Sequence, residues 1–160
     1  MTFPIDPMVK TYESPTPKVS KKTFLISGII AAVYGLDEMP AEALEVSCLW
    51  LMHGRLGSKE NMEGVACLAV ADWNKRLRER RLVSSPQTKG LIAVAFDQRN
   101  HGSRFVDKLA NEDWKEGNPN HAQDMFGIFR ESLVLVMSPI LPQLIVLGHS
   151  FKLSSSTGSL

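Results

Sequence analysis

Three short polar clusters each stand directly behind an apolar run, and each holds residues that can move protons or stabilise charge. His53-Gly54-Arg55 follows residues 44–52, Asp97 to Ser103 follows residues 91–96, and Gly148-His149-Ser150 follows residues 143–147. A serine hydroxyl is a weak nucleophile on its own and needs a neighbouring base to become reactive. A negative oxygen formed by its attack needs backbone N–H donors aimed at it. Ser150 stands in the third cluster and Arg55 in the first. Asp97 and Arg99 are expected to pair or hydrogen-bond so as to hold their own loop. The four histidines show neither H-E-x-x-H nor any Cys/His ligand spacing, so no metal site is expected. No G-x-G-x-x-G or Walker loop occurs, so no nucleotide cofactor is expected either.

The elements that would position these clusters follow from the hydrophobic pattern. Residues 1–21 carry Pro4, Pro7, Pro15 and Pro17 and read as a partly ordered leader. Residues 23–27 and 29–34 flank Gly28, as in an antiparallel hairpin. The runs LEVSCLWLM (44–52), LIAVAF (91–96) and QLIVL (143–147) are nearly continuous and apolar. That pattern suits strands buried on both faces, as in a parallel sheet. Between the first two runs, Ser58 reads as a helix N-cap with Glu60 in the first turn. Met62, Val65, Ala66, Ala69, Trp73 and Leu77 then fall on one helix face. A second helix is expected from Asn118-Pro119, with Ala122, Met125, Phe126, Phe129, Leu133 and Val136 facing the core. Strands alternating with helices predict an α/β fold: a mostly parallel sheet with helices on both faces. In such sheets sites gather at the carboxyl ends of the strands, where all three clusters lie.

Together and in this order the clusters resemble the α/β-hydrolase family, and the wording is similar to fungal-type serine hydrolases. In that family a His-Gly-x turn follows the third strand and an Asp-x-Arg-x-x-Gly-x-Ser-like turn follows the fourth. Gly-x-Ser-x-Gly follows the fifth. Here Asp97, Arg99, His101-Gly102 and Arg104 make the second turn, with Asn100 where glycine is usual. The resemblance implies Ser150 as nucleophile, the backbone N–H groups of Arg55 and Phe151 as oxyanion hole, and hydrolysis of a small carboxylic or lipid ester. It also implies supporting roles near the site for His53, Gly54, Asp97, Arg99 and Gly148. Lys152 stands where the family's second elbow glycine would be.

The family's chain order is nucleophile, acid, histidine, yet none of the ten residues after Ser150 is Asp, Glu or His. The expected organisation is therefore the N-terminal half of an α/β-hydrolase domain over 22–151, with a Ser-rich, unpacked tail at 152–160. Such a chain by itself is expected to be inactive. The alternatives are a non-catalytic binding or structural fragment, or a flavodoxin-like binding fold, whose phosphate-cradling loop is missing.

With 160 residues the chain has one domain's length, and 44% hydrophobic and 22% charged residues is ordinary globular usage. Eighteen basic and 17 acidic residues nearly cancel, which argues against nucleic acid as a partner. The run KRLRERR (75–81) reads as a solvated helix end. The longest apolar run, 24–34, is short of the roughly 20 residues a spanning helix needs, so no membrane span is expected. Cys48 and Cys67 suit buried thiols in a reducing compartment, and a cytoplasmic location is the expectation. Trp50, Trp73 and Trp114 are expected in the core.

Overall fold

Gly28 takes φ +81°, a left-handed conformation that a residue without a Cβ adopts freely, and this turns the chain back on itself. In the computed structural model, β1 (Lys21–Ile26) and β2 (Ile29–Tyr34) pair antiparallel across that turn, with Ile26 opposite Ile29. The structure describes residues 15–26, 28–40, 43, 45–81 and 89–136. Residues 143–147, Gly148, Ser150, Phe151 and the Ser-rich tail lie outside them, as does the leader before Pro15. Ahead of β1, Ser20 is tied to Glu38 through both its N–H and its hydroxyl, at 2.7 and 2.6 Å.

The third strand, β3 (Glu45–Leu51), and the fourth, β4 (Lys89–Phe96), are parallel neighbours joined through α1 (Glu63–Arg81). The sheet order is β1-β2-β4-β3. Two of its three pairings are antiparallel, so the fold is mixed α/β with two helices and a mostly antiparallel sheet, not the mostly parallel one expected. The reason is local. The hairpin strand β2 inserts beside β4, so its direction fixes two interfaces, whereas an apolar run reports burial and not strand direction. β2 and β4 are central and buried on both faces. β3 is outermost among the described strands and only half-buried, which corrects the reading of residues 44–52 as buried throughout.

α1 begins one turn later than Ser58 suggests. Ser58 precedes a 3-10 turn, Lys59–Met62, and its N–H donates to Asn61 Oδ1 at 2.7 Å. The helix face that packs carries Ala66, Cys67 and Val70 against Ala32, Tyr34, Ala93 and Ala95, whereas Val65 is exposed. Small residues on both sides let helix and sheet approach closely. Lys75 and Arg76 are exposed, and Arg76 pairs with Asp72 at 2.7 Å, as on a solvated helix end.

The opposite sheet face buries Ala31, Val33, Ile92, Val94 and Phe96, with Trp50 edge-on to Phe96 at 6.0 Å. Val136, at the end of α2 (His121–Val136), packs against this cluster. α2 starts after the expected point: Pro119 lies in the preceding turn, and the first helical bond runs from Asp124 N–H to Asn120 O at 3.0 Å. Its buried residues are Ile128 and Ser132. Phe126, Phe129 and Leu133 are exposed, so the expected core face is turned partly toward solvent. Trp114 is exposed as well.

Candidate active site at the ends of β3 and β4

Because β3 and β4 run side by side in the same direction, His53-Gly54-Arg55 and the Asp97–Ser103 segment meet at one edge of the sheet. Sequence spacing alone does not bring residues 45 positions apart together; the parallel register does. His53 joins the two turns. Its Nε2 accepts the Gln98 backbone N–H at 3.1 Å, and Gln98 Nε2 donates back to the His53 carbonyl at 2.7 Å. An accepting Nε2 carries no proton, so the ring is neutral with its proton on Nδ1, which donates to Gly54 O at 2.9 Å. Both nitrogens are occupied, and His53 is a strut.

Asp97, wholly buried, anchors the second turn. Its carboxylate accepts from Lys59 N–H at 2.8 Å, Lys59 Nζ at 2.6 Å, Ser103 N–H at 2.9 Å and Ser103 Oγ at 2.7 Å. Burial alone would push this carboxyl up, but the bonds from Lys59 and Ser103 outweigh it and hold it well below the usual carboxylate range. Burial likewise pulls the Lys59 ammonium down, and its bonds to Asp97 and Glu60 more than reverse that. The expected partner Arg99 is not among these contacts. Asp97 bonds instead to Lys59 and Ser103, while the Arg99 guanidinium lies over Gly127 of α2. Arg104 supports the loop from the other side, donating to Asp97 O at 3.1 Å and pairing with Glu131.

The departure at Asn100 has a conformational basis. Its φ is +59°, in the left-handed region that favours glycine and that asparagine tolerates better than most residues. The side chain also does what glycine could not. Asn100 Oδ1 accepts the N–H groups of Val106 and Asp107 at 2.9 and 2.8 Å, and Nδ2 donates to Asn111 Oδ1 at 3.0 Å. Gly102 is a stricter position: φ is +51°, and a Cβ there would lie 2.2–2.7 Å from the Asp97 carboxylate atoms.

Arg55 directs its side chain away from the sheet edge, with Nε donating to Asn111 O at 3.0 Å and the guanidinium 3.9 Å from Asp113 and Glu116. Its backbone N–H has no acceptor among the described residues. Leu56 follows with φ +62°, a left-handed conformation that is strained for a residue with a branched side chain. Lys59, Gln98 and Asn111 also hold these turns. Sequence reading missed them because each works through a partner 11 to 56 residues away. The positions that resemble the nucleophile and second oxyanion donor, Ser150 and Phe151, together with Gly148, fall outside the described residues. Burial pushes the Cys48 thiol up to about 12 and raises Cys67 as well, so neither is a ready nucleophile. Among the described residues no cluster of His, Cys, Asp and Glu could hold a metal ion, and no helix is long and apolar enough to cross a membrane.

No protein-family model and no curated protein matches the chain. Among solved structures it is similar to the crystal structure of TT1662 from Thermus thermophilus, at 19% identity and a TM-score of 0.38. The alignment covers 72% of this chain but only 38% of that one, so the chain spans well under half of its length. A likeness at that level carries nothing about activity.

Proposed function

We propose that this chain carries the nucleophile side of an α/β-hydrolase site built for small carboxylic or lipid esters. Ser150 Oγ is the group that attacks the ester carbonyl carbon, and the N–H groups of Arg55 and Phe151 hold the oxygen that becomes negative. On this reading Ser150 and the Arg55 turn serve one site. The observation that carries the reading is the pair of turns. The His-Gly-Arg turn follows the third strand, the Asp-x-Arg turn follows the fourth, and His53 and Gln98 lock one to the other. The open Arg55 N–H and the left-handed Leu56 add to it.

Turnover needs a base, and His53 is not free to be one. The 160-residue chain is therefore expected to hydrolyse aryl esters no faster than its Ser150→Ala form. A fluorophosphonate reports the site without turnover: it should label Ser150 slowly and once per chain, driven by oxyanion stabilisation alone. Peptide mass mapping identifies the labelled residue. Labelling spread evenly over the serines, or absent from Ser150, would remove the nucleophile assignment. Fast Ser150-dependent turnover would instead show that a histidine within this chain serves as base.

A further inference from the structure

A groove of about 410 Å³ lies at the end of the sheet where β3 and β4 begin, away from the Arg55 and Asp97 turns. It runs between the chain entering β1, the segment leading into β3 and the second half of α1. Trp73 fixes α1 there, its Nε1 donating at 3.0 Å to the carbonyl of Lys89, the first residue of β4. Val19, Ala71 and Leu77 give the groove apolar walls, and Val19 also packs against the core cluster beneath α1. The volume falls within the roughly 300–1,000 Å³ of pockets that hold small molecules.

The charges around this groove do not cancel. Lys18 and Arg78 reach it from different elements, both are exposed, and neither has a carboxylate partner among the described residues. The neighbouring cations of α1 differ in this: Arg76 pairs with Asp72 at 2.7 Å and Lys75 with Glu79 at 4.0 Å. Glu38 is the one acidic group lining the groove among the described residues, and its two oxygens already accept the Ser20 N–H and hydroxyl. Asn74 adds a side-chain amide with no partner among the described residues. Two cations against one carboxylate leave a surplus of one positive charge, which suits a monoanion. A dianion would be repelled by Glu38, and an ammonium by Lys18 and Arg78.

We infer that this groove binds a small monocarboxylate with a hydrocarbon body, the carboxylate held by Lys18, Arg78 and the Asn74 amide and the body against Val19, Ala71 and Leu77. The inference goes beyond the hydrolase reading and uses none of its residues.

The test uses the full chain, with 4-methylbenzoate as probe, 4-methylbenzamide as its neutral counterpart of the same shape, and inorganic phosphate as an anion without the body. Saturation transfer to the ring protons of the probes reads binding whether the chain is monomeric or associated. 4-Methylbenzoate should bind saturably and roughly three- to tenfold more tightly than the amide, the range of two exposed ion pairs. Added salt should narrow that preference, and equimolar phosphate should leave the probe bound. Lys18→Gln together with Arg78→Gln should bind the two probes alike, and substitutions at exposed positions of this kind leave the fold intact. Equal binding of the two probes by the parent chain, binding of neither, displacement by equimolar phosphate, or a preference that survives the double variant would overturn the inference. The comparison of the two probes on the parent chain needs no variant, so it decides by itself if the double variant fails to fold. Ser150 takes no part, so loss of this binding leaves the hydrolase proposal standing, and failure of Ser150 labelling leaves this site standing.

Discussion

Asp97 gathers four donors at one buried carboxylate, which makes its charge state a condition for the second turn. Its folded-state pKa is depressed, so its stabilisation is complete above the unfolded value of about 3.9 and is lost as the pH falls from there toward the folded value. Asp97→Asn removes that dependence. Urea unfolding should find the parent chain more stable at neutral pH, with the gap to Asp97→Asn shrinking below about pH 4. A gap constant from pH 7 to 3 would mean that the carboxylate is not held this way. Asn100 separates conformation from bonding in the same loop. Asn100→Gly loses the bonds to Val106, Asp107 and Asn111 but keeps φ +59° without strain. Asn100→Ala loses the bonds and adds about 1–2 kcal/mol of left-handed strain, so alanine should be the less stable of the two in denaturant melts. Equal stabilities would remove the conformational account of this position.

At the scale of elements, the hairpin at Gly28 and the strand at 91–96 are legible in sequence because turn chemistry and long apolar runs are local signals. β4 extends only two residues further back, to Lys89. Strand direction was not legible, since which neighbour lies beside β4 is decided by how the hairpin docks and not by any run of residues. Helix orientation failed for a related reason. In α2 the pattern Ala122, Phe126, Phe129 and Leu133 reads as a core face, yet the helix buries Ile128 and Ser132. What holds it there is polar: Asn118 Nδ2 bridges Glu112 O and Asp124 Oδ2 at 3.1 and 3.0 Å, and Arg104 pairs with Glu131. Hydrophobic periodicity cannot see such ties. Ile128→Ala should therefore cost about 2–5 kcal/mol and Phe126→Gln no more than about 0.5, measured by chemical denaturation. The reverse ranking would restore the face read from sequence. The site shows the same division. Strand-end clusters were legible, whereas the Lys59–Asp97 pair was not, because it depends on the 3-10 turn at Lys59–Met62 lying where β4 ends.

For the whole molecule, the consequence lies in what the described residues leave uncovered. Phe126, Phe129 and Leu133 form an apolar stripe on α2, and the free edge of β3 lies at the rim of the sheet with Met52 exposed at its end. Large exposed apolar patches drive association, and an unpaired strand edge offers N–H and C=O groups to another chain. A net charge of +1 gives little repulsion to oppose this. β1 is the better protected edge, since Lys21 and Lys22 pair with Glu63 and Asp37 across it. The 160-residue chain should thus self-associate at micromolar concentration, through α2 before β1. Phe126→Lys together with Leu133→Lys places two like charges about two helical turns apart on one face, and the pair should shift sedimentation toward the monomer. Lysines placed instead at Thr23 and Leu25 of β1 should leave the association as it was. A parent chain that sediments as a monomer at every concentration would mean that the stripe and the β3 edge are covered, which would in turn require a closer packing of α2 than its exposed phenylalanines describe.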